Sequence, residues 1–124
     1  MTPKRPINLN LLTIAFPVPA IVSILHRISG VILFLMIPAF LALLACSLHN
    51  VEGFNKVLSF LVHPLIKFFM WGVLLALFYH LIAGIRHLLM DVHCGDSLKG
   101  GRIGAKLVLA VTIIFAIFLG IWLW

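Results

Sequence analysis

From Ile28 to Ser47 this chain carries no Lys, Arg, Asp or Glu, and the same is true from Phe68 to Ile85. Each run is close to the 20 or so apolar residues that an α-helix needs to cross a hydrocarbon core. A third uncharged run follows Lys106 and continues to Trp124. Composition agrees: 64% of the 124 residues are hydrophobic and only 10% are charged. That leaves too few charges to cover a soluble domain of this size, so lipid is the expected solvent for most of the surface. The expected fold class is all-α, an integral membrane bundle of three transmembrane helices. The length allows one membrane-anchor domain, residues 1–124, and no second domain.

Prolines and glycines set the expected limits. Residues 1–20 read as a polar, proline-containing arm. Pro17 and Pro19 bias their predecessors away from helix, so the first span is placed at about 21–48. His49 to Phe54 reads as a short loop, with 54–61 lying along the membrane interface. Pro64 suits the first turn of a second span at about 62–90, and Lys67 can snorkel to the near surface. The sequence DVHCGDSLKGGRI, residues 91–103, reads as a polar loop. The third span is placed at 104–124, with Trp122 and Trp124 as interfacial anchors. The opening segment lacks the uninterrupted apolar run and cleavage pattern of a signal peptide, which favours insertion through the first span.

The positive charges are distributed unequally. Lys4, Arg5, Arg27, Arg86, Lys99, Arg102 and Lys106 fall on one side of the spans, and Lys56 and Lys67 on the other. The positive-inside rule makes the first side cytoplasmic, together with the N-terminus and the 91–103 loop. The net charge of +6 is therefore read as topology and attraction to anionic lipid, not as a nucleic-acid surface. Cys46 and Cys94 fall near opposite ends of the bundle, too far apart to pair.

His80 stands out. It lies in the apolar run WGVLLALFYHLIAGI, six residues before Arg86, or about 9 Å deeper along a helix. An ionisable group at that depth is a functional candidate. The plainer reading is a neutral histidine hydrogen-bonded to a neighbouring helix. His80, Gly84, His87 and Asp91 share one stripe of their helix, and Ser23, His26, Arg27 and Gly30 share a stripe of the first. A neutral imidazole in an apolar bundle is a good axial ligand for haem iron. Haem propionates would then point toward His26, Arg27, Arg86 or His87. Ser23 and Arg27 could alternatively recognise a quinone carbonyl, where Arg stabilises charge that builds on oxygen during reduction. Arg27 alone could also be a topology anchor. His80 and His87 lie on one helix face about 10 Å apart, so they cannot both ligate one iron. His26 is expected nearer the surface than His80, and His49 and His63 at the far side. A haem here would take its second ligand from a partner chain or remain five-coordinate.

Two segments resemble the b-type cytochrome membrane-anchor subunits of succinate dehydrogenase. The first is RPINLNLLTIAFPVPAIVSILHRISG, at Arg5–Pro6, Ser23, His26–Arg27 and Ser29–Gly30. The second is HLIAGIRHLLMD, from His80 through Gly84 and Arg86–His87 to Asp91. The resemblance covers the whole three-span layout. It implies that His80 is an axial ligand of haem b and that Ser23 and Arg27 belong to a ubiquinone site. It implies that His26 lies by the haem propionates and that Asp91 lies near the quinone and a proton entry. It further implies a second hydrophobic anchor supplying the other haem ligand and a quinone-site Tyr, with iron–sulfur and flavoprotein subunits docked on the cytoplasmic face of a bacterial inner membrane. His93 departs from the family, which commonly has a small residue there. The chain itself has no cysteine cluster or nucleotide-binding glycine motif, so the flavin and iron–sulfur chemistry would belong to partners. A fumarate reductase anchor, a haem-free structural anchor and a small transporter are the alternative readings.

Overall fold

The computed structural model describes residues 15–124; Lys4, Arg5 and Pro6 lie outside the described residues. The described chain is four helices: α1 Val18–His49, α2 Val51–Val62, α3 Pro64–Asp91 and α4 Leu98–Leu123. Three of them, α1, α3 and α4, are long and apolar enough to span a membrane. The expectation of an all-α, three-span bundle is met, and α2 is an additional short helix between the first two spans.

Local chemistry explains where the boundaries differ from expectation. α1 starts earlier than residue 21 because Pro19 occupies the first turn, where an amide N–H has no intrahelical partner to lose. The loop expected at His49–Phe54 contracts to the single extended residue Asn50. Its side chain accepts a hydrogen bond from the Gly53 N–H at 2.7 Å and caps α2. A side chain at Gly53 would run into the Cys46 carbonyl, so glycine is what lets α2 turn so closely against the end of α1. Pro64 takes the first position of α3, as expected. α4 begins at Leu98 rather than 104, capped by Ser97, whose hydroxyl accepts from the Gly100 N–H at 3.0 Å. The glycines at 100, 101 and 104 do not break it. Gly101 is buried, and a Cβ on Gly104 would lie 3.2 Å from Arg86 Nε, so these residues let α4 approach α3. The polar connection shrinks from the expected 91–103 to the six positions between Asp91 and Leu98.

α3 ends in a Schellman turn. The Cys94 N–H donates to the Leu89 carbonyl at 2.9 Å and the His93 N–H donates to the Met90 carbonyl at 3.0 Å. His93 sits at φ 61°, the position glycine usually fills. Its ring compensates in part, with Nδ1 3.1 Å from the Asp96 carboxylate.

The spans pack through small residues and one tyrosine. Val22, Tyr79, Ala83, Ala105 and Val108 form the buried core where α1, α3 and α4 meet, and Ala105 is fully buried. Without a hydrophobic drive between helices in lipid, close approach and interhelical hydrogen bonds hold such a bundle. The Tyr79 hydroxyl supplies one, donating to the Val22 carbonyl at 2.8 Å. Trp71 Nε1 donates to the Ala116 carbonyl at 3.0 Å and Lys67 Nζ to the Leu123 carbonyl at 3.2 Å, which tie α3 to the far half of α4. Large apolar side chains such as Phe34, Leu35 and Phe118 point outward. Cys46 and Cys94 are free, as expected, and both are exposed.

The left-handed His93 generates a prediction. Placing Gly there removes the steric cost and should stabilise the turn by about 1 kcal/mol, less whatever the Asp96 contact contributes. His93→Val should destabilise it. Thermal denaturation of the purified assembly distinguishes these directions.

Candidate functional site at the basic end of the bundle

α1 and α3 run antiparallel. Residues Ser23 and Arg27 of α1 meet Arg86 and His87 of α3 at one end, while Ile32 and Met36 meet Phe68 and Gly72 toward the other. Each helix carries a histidine followed four residues later by a glycine: His26 and Gly30 on α1, His80 and Gly84 on α3. The two pairs are reciprocal. A Cβ on Gly30 would lie 3.0 Å from His80 Cε1, and a Cβ on Gly84 would lie 3.3 Å from His26 Nε2. Each imidazole therefore occupies the space opened by the other helix's glycine. The rings stack with centroids 4.2 Å apart and planes inclined by 14°.

This corrects the expected depth of His26. Because α1 begins at Val18, His26 is more than two turns inside the helix, about 12 Å from its start. Its ring lies beside that of His80, not above it. Face-to-face rings do not direct nitrogens at one common point, so the pair is not a two-histidine clamp on a single iron. Among the described residues, no group of three or more His, Cys, Asp or Glu is placed to hold a metal ion.

His80 is anchored to α1 through one nitrogen. Its Nδ1 lies 3.0 Å from Ser29 Oγ and 3.1 Å from the His26 carbonyl oxygen. Its other nitrogen, Nε2, makes no hydrogen bond among the described residues. His80 heads an apolar groove of about 460 Å³ on the outer face of α1 and α3, lined by Gly30, Phe34, Ile37, Val73 and Leu77.

A second, more polar cavity of about 160 Å³ lies toward the basic end. Val22, Ser23, His26, Arg27, Ala83, Arg86 and His87 line it. Two of its polar atoms, His26 Nε2 and Arg86 Nε, are buried without a hydrogen-bond partner among the described residues. Arg86 is fixed from the far side of its guanidinium, where Nη2 donates to the Gly101 carbonyl of α4 at 3.0 Å. Unpaired buried groups of this kind are costly, and cationic or donor groups converging on one cavity favour an anionic or carbonyl-bearing ligand.

The structure thus brings together Ser23, His26, Arg27, Arg86 and His87, with His80 immediately behind His26. Asp91 is not among them: it ends α3, is exposed, and lines neither cavity. Two contributors have no role assigned by the sequence. Ser29 is 4% exposed and, apart from Tyr79, is the only buried side chain with a polar group among the described residues. Its helical spacing from His26 was visible, but its contact with His80 depends on how the helices pair. Tyr79, next to His80, reads as an apolar-run residue until its hydroxyl is seen bonded to Val22.

Fold and site define a class: a small polytopic membrane subunit whose polar residues collect between antiparallel spans at one end. The model of the succinate dehydrogenase/fumarate reductase transmembrane subunit family matches residues 1–119, and the chain belongs to that family. It is 43% identical over 125 residues to the succinate dehydrogenase cytochrome b556 subunit of Coxiella burnetii, covering all of both chains. It is 34% identical to the cytochrome b556 subunit of Rickettsia felis, covering 94% of this chain and 90% of the relative. A mitochondrial relative, the succinate dehydrogenase cytochrome b560 subunit of Dictyostelium discoideum, is 29% identical over 93% of this chain and 60% of its own length.

The reciprocal seating predicts that bulk at either glycine separates the rings. Gly30→Val should cost about 2 kcal/mol of bundle stability through overpacking against His80. Gly84→Ala, whose Cβ would lie 3.3 Å from His26 Nε2 and needs the ring to give only slightly, should cost less. Denaturation midpoints of the two variants in the purified assembly check the order.

Proposed function

We propose that this chain is a haem-binding membrane anchor of a succinate:ubiquinone oxidoreductase, and that His80 is its contribution to the iron. The observation that carries the reading is the asymmetric setting of His80. One ring nitrogen is engaged by α1, the other has no hydrogen-bond partner among the described residues, and the ring heads an apolar groove. That is the environment a neutral imidazole ligand needs, with the second nitrogen hydrogen-bonded to fix its orientation. The residues present fit haem b in two further respects. The groove below His80 is apolar, as a porphyrin requires. The cavity above it presents Arg27, Arg86, His26 and His87, with two buried nitrogens unpaired among the described residues, to carboxylates such as propionates.

When bound, haem would supply a one-electron store within the bilayer. The chain's own residues hold it and shape its surroundings. Since His26 and His80 stack face to face, they would not hold one iron together, and a second hydrophobic anchor seated against the exposed α1–α3 groove would supply the other protein ligand. That partner also supplies the quinone-site Tyr. Ser23 and Arg27, both exposed at the rim of the polar cavity, orient ubiquinone: the Ser23 hydroxyl donates to a carbonyl, and the Arg27 cation stabilises negative charge as it builds on that oxygen. Asp91, exposed at the end of α3, receives protons from water and passes them toward the quinone.

The basic end carries Arg27, Arg86, Lys99, Arg102 and Lys106, whereas Lys56 and Lys67 are at the other end. On the positive-inside rule this end faces the cytoplasm of a bacterial inner membrane, where the iron–sulfur and flavoprotein subunits dock. The names of the relatives support a succinate dehydrogenase over a fumarate reductase assignment.

Two substitutions test the reading separately. His80→Ala should abolish haem in the purified complex, measured as haem per covalently or tightly bound flavin; full retention would show that the ligand lies elsewhere. Arg27→Ala should keep haem but lower succinate:ubiquinone reductase activity by 10-fold or more, the scale of losing one charge-stabilising group. Unchanged quinone reduction would remove Arg27 from that role.

A further inference from the structure

Apart from Tyr79, whose hydroxyl is bonded to the Val22 carbonyl, Ser29 is the only buried side chain with a polar group among the described residues. A hydroxyl inside a membrane bundle is costly unless it is bonded. Ser29 is bonded twice, in a triangle with His26 and His80. Its Oγ donates to the His26 carbonyl at 2.7 Å, and the same oxygen lies 3.0 Å from His80 Nδ1. The third side of the triangle is the 3.1 Å approach of His80 Nδ1 to the His26 carbonyl oxygen.

This triangle has one consistent proton arrangement. A serine has a single hydroxyl proton, and a carbonyl oxygen can only accept. The short 2.7 Å contact commits the Ser29 proton to the His26 carbonyl, leaving Oγ lone pairs toward His80. If Nδ1 were unprotonated, its lone pair would face two oxygen lone pairs at about 3 Å, a repulsive arrangement. A protonated Nδ1 instead donates a shared hydrogen bond to both oxygens. The neutral ring must then carry its free lone pair on Nε2.

We infer that Ser29 is a positioning and tuning residue for His80: together with the His26 carbonyl it fixes the Nδ1–H tautomer, so that Nε2 is the metal-binding nitrogen, and it sets the electron donation of the ring. The inference rests on His80 being a haem ligand. Hydrogen-bond donation from the distal N–H makes an imidazole more basic at its ligating nitrogen and favours the oxidised metal. Removing one of two acceptors weakens that effect. The hydroxyl of Ser29 is thus predicted to hold the haem potential down.

The test is a potentiometric titration of the haem in the complete purified complex, with the wild type, Ser29→Ala, Ser29→Thr and Ser29→Cys. Ser29→Ala should retain haem and shift its midpoint potential upward. Ser29→Thr, which keeps the hydroxyl, should restore the wild-type value. A haem-containing Ser29→Ala complex with an unshifted potential overturns the inference, as does a Ser29→Thr value that follows Ser29→Ala. If Ser29→Ala fails to assemble, Ser29→Cys keeps the test open: its weak thiol acceptor should give a smaller upward shift, and no shift overturns the inference. Failure of the haem assignment looks different. It appears as His80→Ala retaining haem, or as a wild-type complex that contains none.

Discussion

The site depends on how closely α1 and α3 can approach. Two glycines one turn from two histidines make the approach possible, and each imidazole fills the space that the other helix leaves. Gly30 and Gly84 are therefore more than permissive packing positions. They allow two polar rings to sit half-buried between apolar spans, with Ser29 and the His26 carbonyl satisfying the nitrogen that would otherwise be stranded. In a bilayer, polar groups carry the highest cost when unpaired. The contact thus couples stability to site geometry: a change in the crossing of α1 and α3 moves His80, the polar cavity and the outer groove together.

The rest of the bundle sorts around that contact. α4 supports α3 from behind, through Ala105 and Val108 against Tyr79 and Ala83, and through the Gly101 carbonyl that holds Arg86. The opposite end holds ties of another kind, Trp71 and Lys67 to the carbonyls of α4. These anchor the bundle and take no part in the polar cavity. The outward surface is large and apolar, as suits lipid and a membrane partner. α2 adds an amphipathic connection at this end, with Glu52 and Lys56 paired at 2.8 Å on its exposed side.

Much of this was legible in the sequence. The uncharged runs after Arg27 and Lys67 identified spans because a helix in lipid needs a fixed length of apolar residues. The stripe arithmetic placed Ser23, His26 and Arg27 on one face, and His80, Gly84 and His87 on another, and the structure brings those faces together. Other features were not legible for physical reasons. Helix starts at Val18 and Leu98 depend on capping by proline and Ser97, which override a local excess of glycine or polar residues. The depth of His26 followed from the misplaced start of α1. Ser29 could not be singled out by spacing, because its partner lies 51 positions away and is set by the helix crossing. His93 stood out as a departure at the end of its helix, but not as the residue that closes a turn; that turn requires a left-handed residue, which histidine tolerates better than most.

We propose that this chain offers one neutral imidazole to a haem and that a partner chain would supply the other protein ligand. The most direct measurement is the low-temperature electron paramagnetic resonance and reduced-minus-oxidised optical spectrum of the complete complex. Two imidazoles from two chains predict a low-spin b-type haem, at one per complex. A complex without haem, or one whose haem is high-spin with an open coordination position, would contradict the account.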